Sequence, residues 1–366
     1  MSKLDTLISE FCSLGVEHEK LSKVLVIKNG KDYKKLSKGK YPVLGSGGIM
    51  TYIDQYAYDR ASVLIPRKGS ISNLFFIDTP FWTVDTLFYT EINEAKSLPK
   101  YIYYCLKKER LENLNTAGGV PSLTQEVLYN VRIPLPPLPV QEEIVRILDK
   151  FTALEAELEA ELEARKKQYE YYRDLLFDFD MHRDTMILWS TLSQIADIGT
   201  GSSNTNEELE VGNYPFFVRS QEVRQKNSYE FDETAIITSG DGVGVGKIFH
   251  YVEGKYALHQ RAYRIHIKDD RVLPKYFFYY MKSTFLKYID KNSFHSSVTS
   301  IRRPMLNNYP VPVPPLAEQE RIVSILDRFD ALVNDITQGL PAEIEARRKQ
   351  YEYYRNQLLT FKEATP

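Results

Sequence analysis

The string RKKQYEYYR at residues 165–173 returns as RRKQYEYYR at residues 347–355, and each copy runs on into an apolar tail, to Phe179 and to Phe361. That recurrence restricts the chain to folds built from two copies of one unit. Each copy closes a longer block that opens on a proline knot. The first block begins IPLPPLPVQEEIVRILD at Ile133 and the second VPVPPLAEQERIVSILD at Val311. The knots lie 178 residues apart and the tyrosine-rich ends 182, so the second block carries four extra residues.

Within the first block, apolar and aromatic residues fall at Phe151, Leu154, Leu158, Leu162, Tyr169, Tyr172 and Leu176. In the second they fall at Phe329, Leu332, Ile336, Leu340, Ile344, Tyr351, Tyr354 and Leu358. Steps of mostly three and four are the rhythm of a helix with one apolar stripe. A single such stripe is explained by a neighbouring domain, but two matching stripes point to helices that pack on each other. The extra turn holds Gly339 and Pro341, which predicts a kink or short break near residues 338–341. In the first block, Glu-Ala-Glu-Leu occurs twice in tandem, at 155–158 and 159–162, and each unit is about one turn, roughly 6 Å of rise.

A chain of 366 residues has room for two or three domains. No apolar run reaches membrane-spanning length, the opening MSKLDTLISEF lacks a secretory pattern, and Cys12 and Cys105 are too few and too far apart for a disulfide framework. The expectation is a reduced, cytoplasmic protein with no membrane partner. The net charge of −2 conceals a segregation. Residues 13–132 hold 17 Lys/Arg against 12 Asp/Glu and residues 183–310 hold 16 against 14, whereas residues 133–182 hold 6 against 12 and residues 311–366 hold 7 against 9. Basic globular segments joined by acidic helices suit globular parts that meet a polyanion and helices that meet protein.

In chain order, residues 1–20 read as a short helical arm, with Leu4, Leu7, Ile8, Phe11 and Leu14 on one face and Gly15 at its end. A globular segment, 21–132, mixes short strand-like runs with Gly and Pro turns and closes on an apolar helix over 98–111. After the block at 133–182, a second globular segment, 183–310, repeats that order, and the block at 311–366 ends the chain. The clearest match is LPKYIYY from Leu98 against LPKYFFYY from Leu273; further on, Gly119-Val120-Pro121-Ser122-Leu123 matches Ser297-Val298-Thr299-Ser300-Ile301. The globular halves are otherwise far more diverged than the blocks.

Catalytic patterns are weak. The run Gly240-Asp241-Gly242-Val243-Gly244-Val245-Gly246-Lys247 fails both the phosphate-loop and the dinucleotide spacings. It fits a glycine turn between strands, read equally as a plain hairpin or as a loop whose backbone approaches a ligand; its counterpart is the stretch from Ile65 to Ser70. The six His lack metal-ligand spacing. Pro136-Pro137 and Pro314-Pro315 are flanked by Leu and Val, not by the Asn or Asp and the aromatic residue that an amino-methylating site needs. What remains is polar and charged residues on turns: Arg67, Lys68, Ser70 and Asn73 in the first half, and Arg219, Ser220, Gln260, Arg261, Arg302 and Arg303 in the second. Such side chains hold phosphates or read base edges, and each alone is an ordinary surface residue.

The order of globular domain, proline knot with Gln141-Glu142-Glu143, second domain, and proline knot with Gln319-Glu320, both blocks ending on QYEYYR, resembles the specificity subunit of type I restriction–modification systems along essentially the whole chain. The resemblance implies an α+β fold: two globular target recognition domains, related by a pseudo-twofold repeat and joined by long helices in an antiparallel coiled coil. It implies a non-catalytic protein that reads a split, asymmetric site on double-stranded DNA and docks two methylation subunits on its helices. S-adenosylmethionine, ATP and Mg would serve the methylation and the restriction and motor subunits, and this chain would bind no cofactor. A helix from Gln141 to Phe179 would span about 58 Å, enough for two readers roughly 34–36 Å apart on one duplex face. The alternatives are an orphan DNA-binding regulator or scaffold without a methyltransferase partner, and, disfavoured by the missing motifs, an enzyme acting on nucleic acid.

Overall fold

The structure, a computed structural model, describes residues 2–114, 122–179, 187–292 and 300–364. It divides into two units: unit 1 is Met1–Glu159 together with Glu343–Pro366, and unit 2 is Ala160–Ala342. In unit 1 the chain runs through α1 (Lys3–Phe11), β1 (His18–Lys20), β2 (Leu25–Asn29), β3 (Lys38–Gly45), β4 (Gly48–Ile53), β5 (Ser62–Pro66), β6 (Phe75–Ile77), β7 (Trp82–Thr83), β8 (Leu87–Ile92), α2 (Pro99–Lys108), α3 (Gln125–Tyr129), β9 (Arg132–Pro134) and the start of α4 (Leu138–Leu176). Unit 2 holds the end of α4, then β10 (Leu188–Thr191), α5 (Leu192–Ile195), β11 (Ala196–Thr200), β12 (Tyr214–Phe217), β13 (Arg224–Lys226), β14 (Phe231–Asp232), β15 (Ala235–Ser239), β16 (Phe249–Val252), β17 (Lys255–Leu258), β18 (Ala262–Ile267), α6 (Pro274–Asn292), α7 (Arg303–Asn307), β19 (Pro310–Val313) and α8 (Leu316–Asn334). The last helix, α9 (Leu340–Leu358), lies almost wholly in unit 1.

The two units have one topology. The order β2-β8-β5-β6 recurs as β11-β18-β15-β16, β4-β3-β7 as β13-β12-β17 with β14 added, and β1-β9 as β10-β19. Even the parallel exception recurs, β3 with β7 and β12 with β17, in otherwise antiparallel sheets. Interior strands β5 (SVLIP) and β15 (AIITS) are buried along their whole length, as continuous runs covered on both faces must be. Helices α2 and α6 each begin on proline, which gives up no intrahelical bond at that position. They bury Tyr101, Ile102 and Tyr104 in unit 1, and Tyr276, Phe277 and Tyr279 in unit 2; each such side chain is worth about 1.5–3 kcal/mol of apolar transfer.

The fold is thus the expected α+β duplication, with several local differences. Helix α1 ends at Phe11, leaving Phe11 and Leu14 exposed. Gly15 instead marks where the chain meets residues 362–364: φ is +100°, and a Cβ would stand 2.8 Å from the Lys362 carbonyl oxygen. Val16 N–H donates to that carbonyl at 2.8 Å, and Ala364 N–H donates back to Val16 at 3.1 Å. Helix α2 stops at Lys108, and the expected remainder becomes a 3-10 turn over Leu111–Leu114. Helix α4 is 39 residues long, as expected from Gln141 to Phe179, but it occupies Leu138–Leu176. The segments at 119–121 and 297–299 of the sequence match, and the domain boundary at 182, lie outside the described residues.

The break in the second rod falls at residues 335–339, slightly before the expected place. Gly339 folds back onto the end of α8, where a Cβ would lie 2.5 Å from the Ala331 carbonyl and 2.7 Å from that of Leu332. Pro341 is the second residue of α9, where its missing N–H costs nothing. The break also removes Ile336 from the apolar stripe: it is 81% exposed, Leu332 is exposed, and Val333 is buried in their stead.

Candidate functional site

Two kinds of site candidate come together in each unit: the joint where a long helix meets its globular domain, and a cluster of loops at the ends of the sheets. The joint shows what the block motif does. Gln141 is fully buried; its Oε1 accepts from Ser97 Oγ and Leu98 N–H, both at 3.0 Å, and its Nε2 donates to the carbonyls of Lys96 (3.1 Å) and Pro136 (2.7 Å). Gln319 repeats this in unit 2, with Leu273 N–H at 2.8 Å and the carbonyls of Arg271 and Pro314 at 2.7 and 2.8 Å. One turn pair further along, Lys100 and Tyr104 grip Asp149 at 2.9 and 2.5 Å, as Lys275 and Tyr279 grip Asp327 at 2.9 and 2.6 Å. LPKYxxY and QExxxxxxD are therefore two halves of one clasp. The equal spacing of these residues in both halves was the signal for it, and periodicity alone does not reveal it.

Each unit then receives the end of the other long helix. In unit 1, Phe151 of α4 stacks on Tyr354 of α9 at 5.3 Å, and Arg348 of α9 binds Glu155 at 2.6 Å and Glu159 at 2.5 Å. Ascending positions on α4 meet descending positions on α9, so the pair is antiparallel. In unit 2, Phe329 of α8 packs between Tyr169 (6.2 Å) and Tyr172 (5.8 Å) of α4. Leu158, Tyr169, Leu340 and Ile344 are buried; Phe151, Leu154, Leu162, Leu176, Phe329, Tyr351 and Leu358 are partly buried; Tyr172 and Tyr354 keep about two-fifths of their surface open. Tyr171 and Tyr353, at corresponding places, are 65% and 58% exposed.

The joint also contains a carboxylate held far from its ordinary behaviour. Glu143 hydrogen-bonds the Arg146 guanidinium and takes Lys3 of α1 at 3.1 Å, and those partners draw its pKa down to about 2. Its side chain is only 2% exposed.

The loop cluster is built on one backbone frame in both units. Val84 N–H donates to Leu44 (3.0 Å), Lys31 N–H to Thr83 (2.8 Å) and Arg67 N–H to Thr86 (3.0 Å). In unit 2, His259 N–H donates to Phe217 (2.9 Å), Ser203 N–H to Leu258 (3.2 Å) and Gly240 N–H to Arg261 (2.9 Å). An isolated bridge, Lys68 with Ser122 and Asp241 with Ser300, ties the same loop down in each. The glycine-rich run is thus the hairpin loop between β15 and β16.

On that shared frame the side chains differ. Unit 2 brings Arg219 to 2.5 Å and Arg261 to 3.4 Å from the Asp241 carboxylate, and Gln260 to Asn204. Buried His259 accepts the Arg261 N–H at Nδ1 (3.0 Å); burial and the two guanidiniums hold its pKa below the ordinary imidazole value, so that nitrogen is free to accept. Unit 1 has Ser46, Lys68 and Thr86 at the positions of Arg219, Asp241 and Arg261; Ser46 and Thr86 line an open cleft of about 790 Å³ with Asp32, Tyr33, Met50 and Asp85.

Of the residues singled out from sequence, Arg219 and Arg261 converge on Asp241 in unit 2, Gln260 reaches Asn204, and the Ser220 hydroxyl donates to the Glu222 carbonyl at 3.0 Å. Lys68, Ser70 and Asn73 are exposed on the β5–β6 loop of unit 1. Arg67 shares that loop, but its guanidinium stacks over Phe88 at 5.3 Å. Arg302 and Arg303 are both exposed at the start of α7, and Arg303 donates one N–H to the Ile198 carbonyl at 2.6 Å. In unit 2, Asp241 and Asn204 were missed because their approach to Arg219, Arg261 and Gln260 depends on strand register. Among the described residues no group of three His, Cys, Asp or Glu is placed to hold a metal ion, and no helix is long and apolar enough to cross a membrane.

A family model described as the type I restriction modification DNA specificity domain matches residues 14–164 and 188–346. The type I restriction enzyme EcoR124I/EcoR124II specificity subunit of Escherichia coli is 34% identical over an alignment of 399 residues that covers 98% of this chain and 96% of that protein. A putative type I restriction enzyme specificity subunit of Haemophilus influenzae is 31% identical over 349 residues, covering 88% and 89%. Among solved structures, the type I restriction-modification S subunit from M. genitalium superposes with a TM-score of 0.62 at 16% identity, covering 94% of this chain and 96% of that one. Two repeats of one topology, the matched segments in each, and relatives of the same name along the whole length lead to one conclusion: the chain belongs to the family of type I restriction–modification DNA specificity subunits.

Proposed function

We propose that this chain reads a two-part target on double-stranded DNA, one half with the loop cluster of each globular domain, and that its long helices hold two methylation subunits. The observation that carries the reading is the pairing of a constant backbone frame with changed side chains at matching loop positions. A duplicated surface retained for folding would keep its chemistry; one that reads two different half-sites would change it. Loop amides, Lys and Arg suit phosphates, and Arg, Asn, Gln and Asp suit base edges.

The helices support the second part in the opposite way. Tyr171 and Tyr353 are strongly exposed yet identical between the copies, as are the partly open Tyr172 and Tyr354. Exposed aromatic residues repeated without change suit one kind of partner bound twice. On this proposal S-adenosylmethionine is used by the methylation subunits, and ATP and Mg by restriction subunits, while this chain contributes recognition and assembly.

Co-expression with the methylation subunits, followed by genome-wide mapping of methyladenine, tests it. A two-part motif with a fixed gap is expected. Sequence-specific DNA binding with no capture of methylation subunits would favour an orphan regulator instead, and no sequence-specific binding would refute the proposal.

A further inference from the structure

The Arg219–Asp241–Arg261 cluster is costly to explain as a stabilising feature. All three side chains are partly open to solvent, and ion pairs in that setting add little to stability. Unit 1 forms the same three loops without it, using Ser46, Lys68 and Thr86 on equivalent backbone hydrogen bonds. The frame therefore does not require the cluster.

Its geometry is that of a preformed donor and acceptor array. Arg219 is held closest to the Asp241 carboxylate, while Arg261 reaches it only at 3.4 Å and is the most exposed of the three. The backbone beneath is fixed: Ser239 Oγ donates to the Asp241 carbonyl at 2.8 Å, Gly240 N–H to that of Arg261 at 2.9 Å, and His259 takes the Arg261 N–H. In the DNA major groove, a G·C pair shows the two acceptors N7 and O6 on guanine beside the N4 donor on cytosine, and no other pair shows that sequence of groups.

Resting on the DNA-reading function proposed above, we infer that this cluster reads one G·C base pair in the half-site met by unit 2. Arg261 donates to guanine N7 and O6, Asp241 accepts from cytosine N4, and Arg219 is a positioning residue that keeps the carboxylate aimed. The position in unit 1 that matches Asp241 is Lys68, so this Arg–Asp–Arg arrangement is not repeated for the other half-site.

The test is methyladenine mapping in cells that co-express the full chain with its methylation subunits, using wild type, Asp241→Asn, Arg261→Gln and, in unit 1, Lys68→Ser. In the Asp241 and Arg261 variants, discrimination at a single G·C position should fall about tenfold or more. The other half-site should stay unchanged, and Lys68→Ser should affect only that other half-site. An unchanged motif in both unit 2 variants, or an even weakening at all positions of the kind a phosphate contact gives, would overturn the inference. If the variants fail to assemble, oligonucleotide competition against the wild-type complex decides: a unit 2 half-site with no fixed G·C pair overturns the inference. A wild-type complex that methylates without any two-part motif would instead remove the DNA-reading proposal itself.

Discussion

Replacing Gln141 by alanine should unfasten α4 from its domain, and the size of the effect follows from the partners it leaves. The substitution strands a buried N–H, that of Leu98, and two carbonyls, those of Lys96 and Pro136; the Ser97 hydroxyl is left near the Leu98 carbonyl at 3.5 Å. With about 1–3 kcal/mol for a buried group left unpaired, partly relieved by local relaxation, the expected cost is about 3–5 kcal/mol. Gln141→Glu should cost more at neutral pH, because it sets a carboxylate against two carbonyl oxygens in a site with no exposure, and it should recover in part on acidification as that carboxyl protonates. Gln319→Ala should produce the same loss in unit 2. A chain of two units need not unfold in one step, so amide hydrogen exchange followed by mass spectrometry over residues 93–98 and 134–141 is the suitable assay. Protection there should fall by about two to three and a half orders of magnitude, at 1.4 kcal/mol per tenfold. A decrease of less than about fivefold would refute the clasp as the origin of the joint's stability.

Glu143 should make the N-terminal helix sensitive to acid. Its folded pKa of about 2 lies below the unfolded value, so its contribution is complete above about 4.3 and is lost as pH falls toward 2; limited proteolysis of α1 should accelerate through that window, and Glu143→Gln should abolish the acid dependence. Deleting residues 159–162 removes one Glu-Ala-Glu-Leu unit, about one helical turn, and brings Glu163 to the position of Glu159, which should shorten the unspecified gap of the target by about one to two base pairs while both half-sites stay the same; a methylation map with altered half-sites would contradict it. Tyr171→Ala or Tyr353→Ala should each reduce the bound methylation subunits from two to one, measured by native mass spectrometry, with the double variant binding none. Gly339→Ala should destabilise the break between α8 and α9, because the added carbon meets the Ala331 and Leu332 carbonyls; an unchanged melting profile would count against it.

The long helices and the duplication were legible in the sequence because identity and periodicity survive there: Leu158, Tyr169 and Ile344 are buried as their spacing requires. Ile336 was misplaced because counting in threes and fours assumes an unbroken helix, whereas Gly339 turns the chain back one position after another from the end of α8. The clasp was present in the letters, Gln141 to Asp149 and Gln319 to Asp327 at the same interval, but a side chain that satisfies backbone groups leaves no periodic trace. The loop clusters were legible only as scattered candidates. Arg219, Asp241 and Arg261 stand about 20 residues apart in sequence, and only the pairing of β12 with β17 and of β15 with β18 brings their loops together.

The sharing of helices between the units has a consequence for biosynthesis. Unit 2 is a continuous stretch of chain, whereas unit 1 is completed by residues 343–364, which contribute fully buried Leu359 to its core and pair with Val16. On the ribosome, the half made first therefore waits with an uncovered apolar seam while the half made second closes. Nascent chains arrested before residue 343 should accordingly show a finished unit 2 beside a protease-sensitive unit 1, an inversion of the usual order in which the amino-terminal domain matures first.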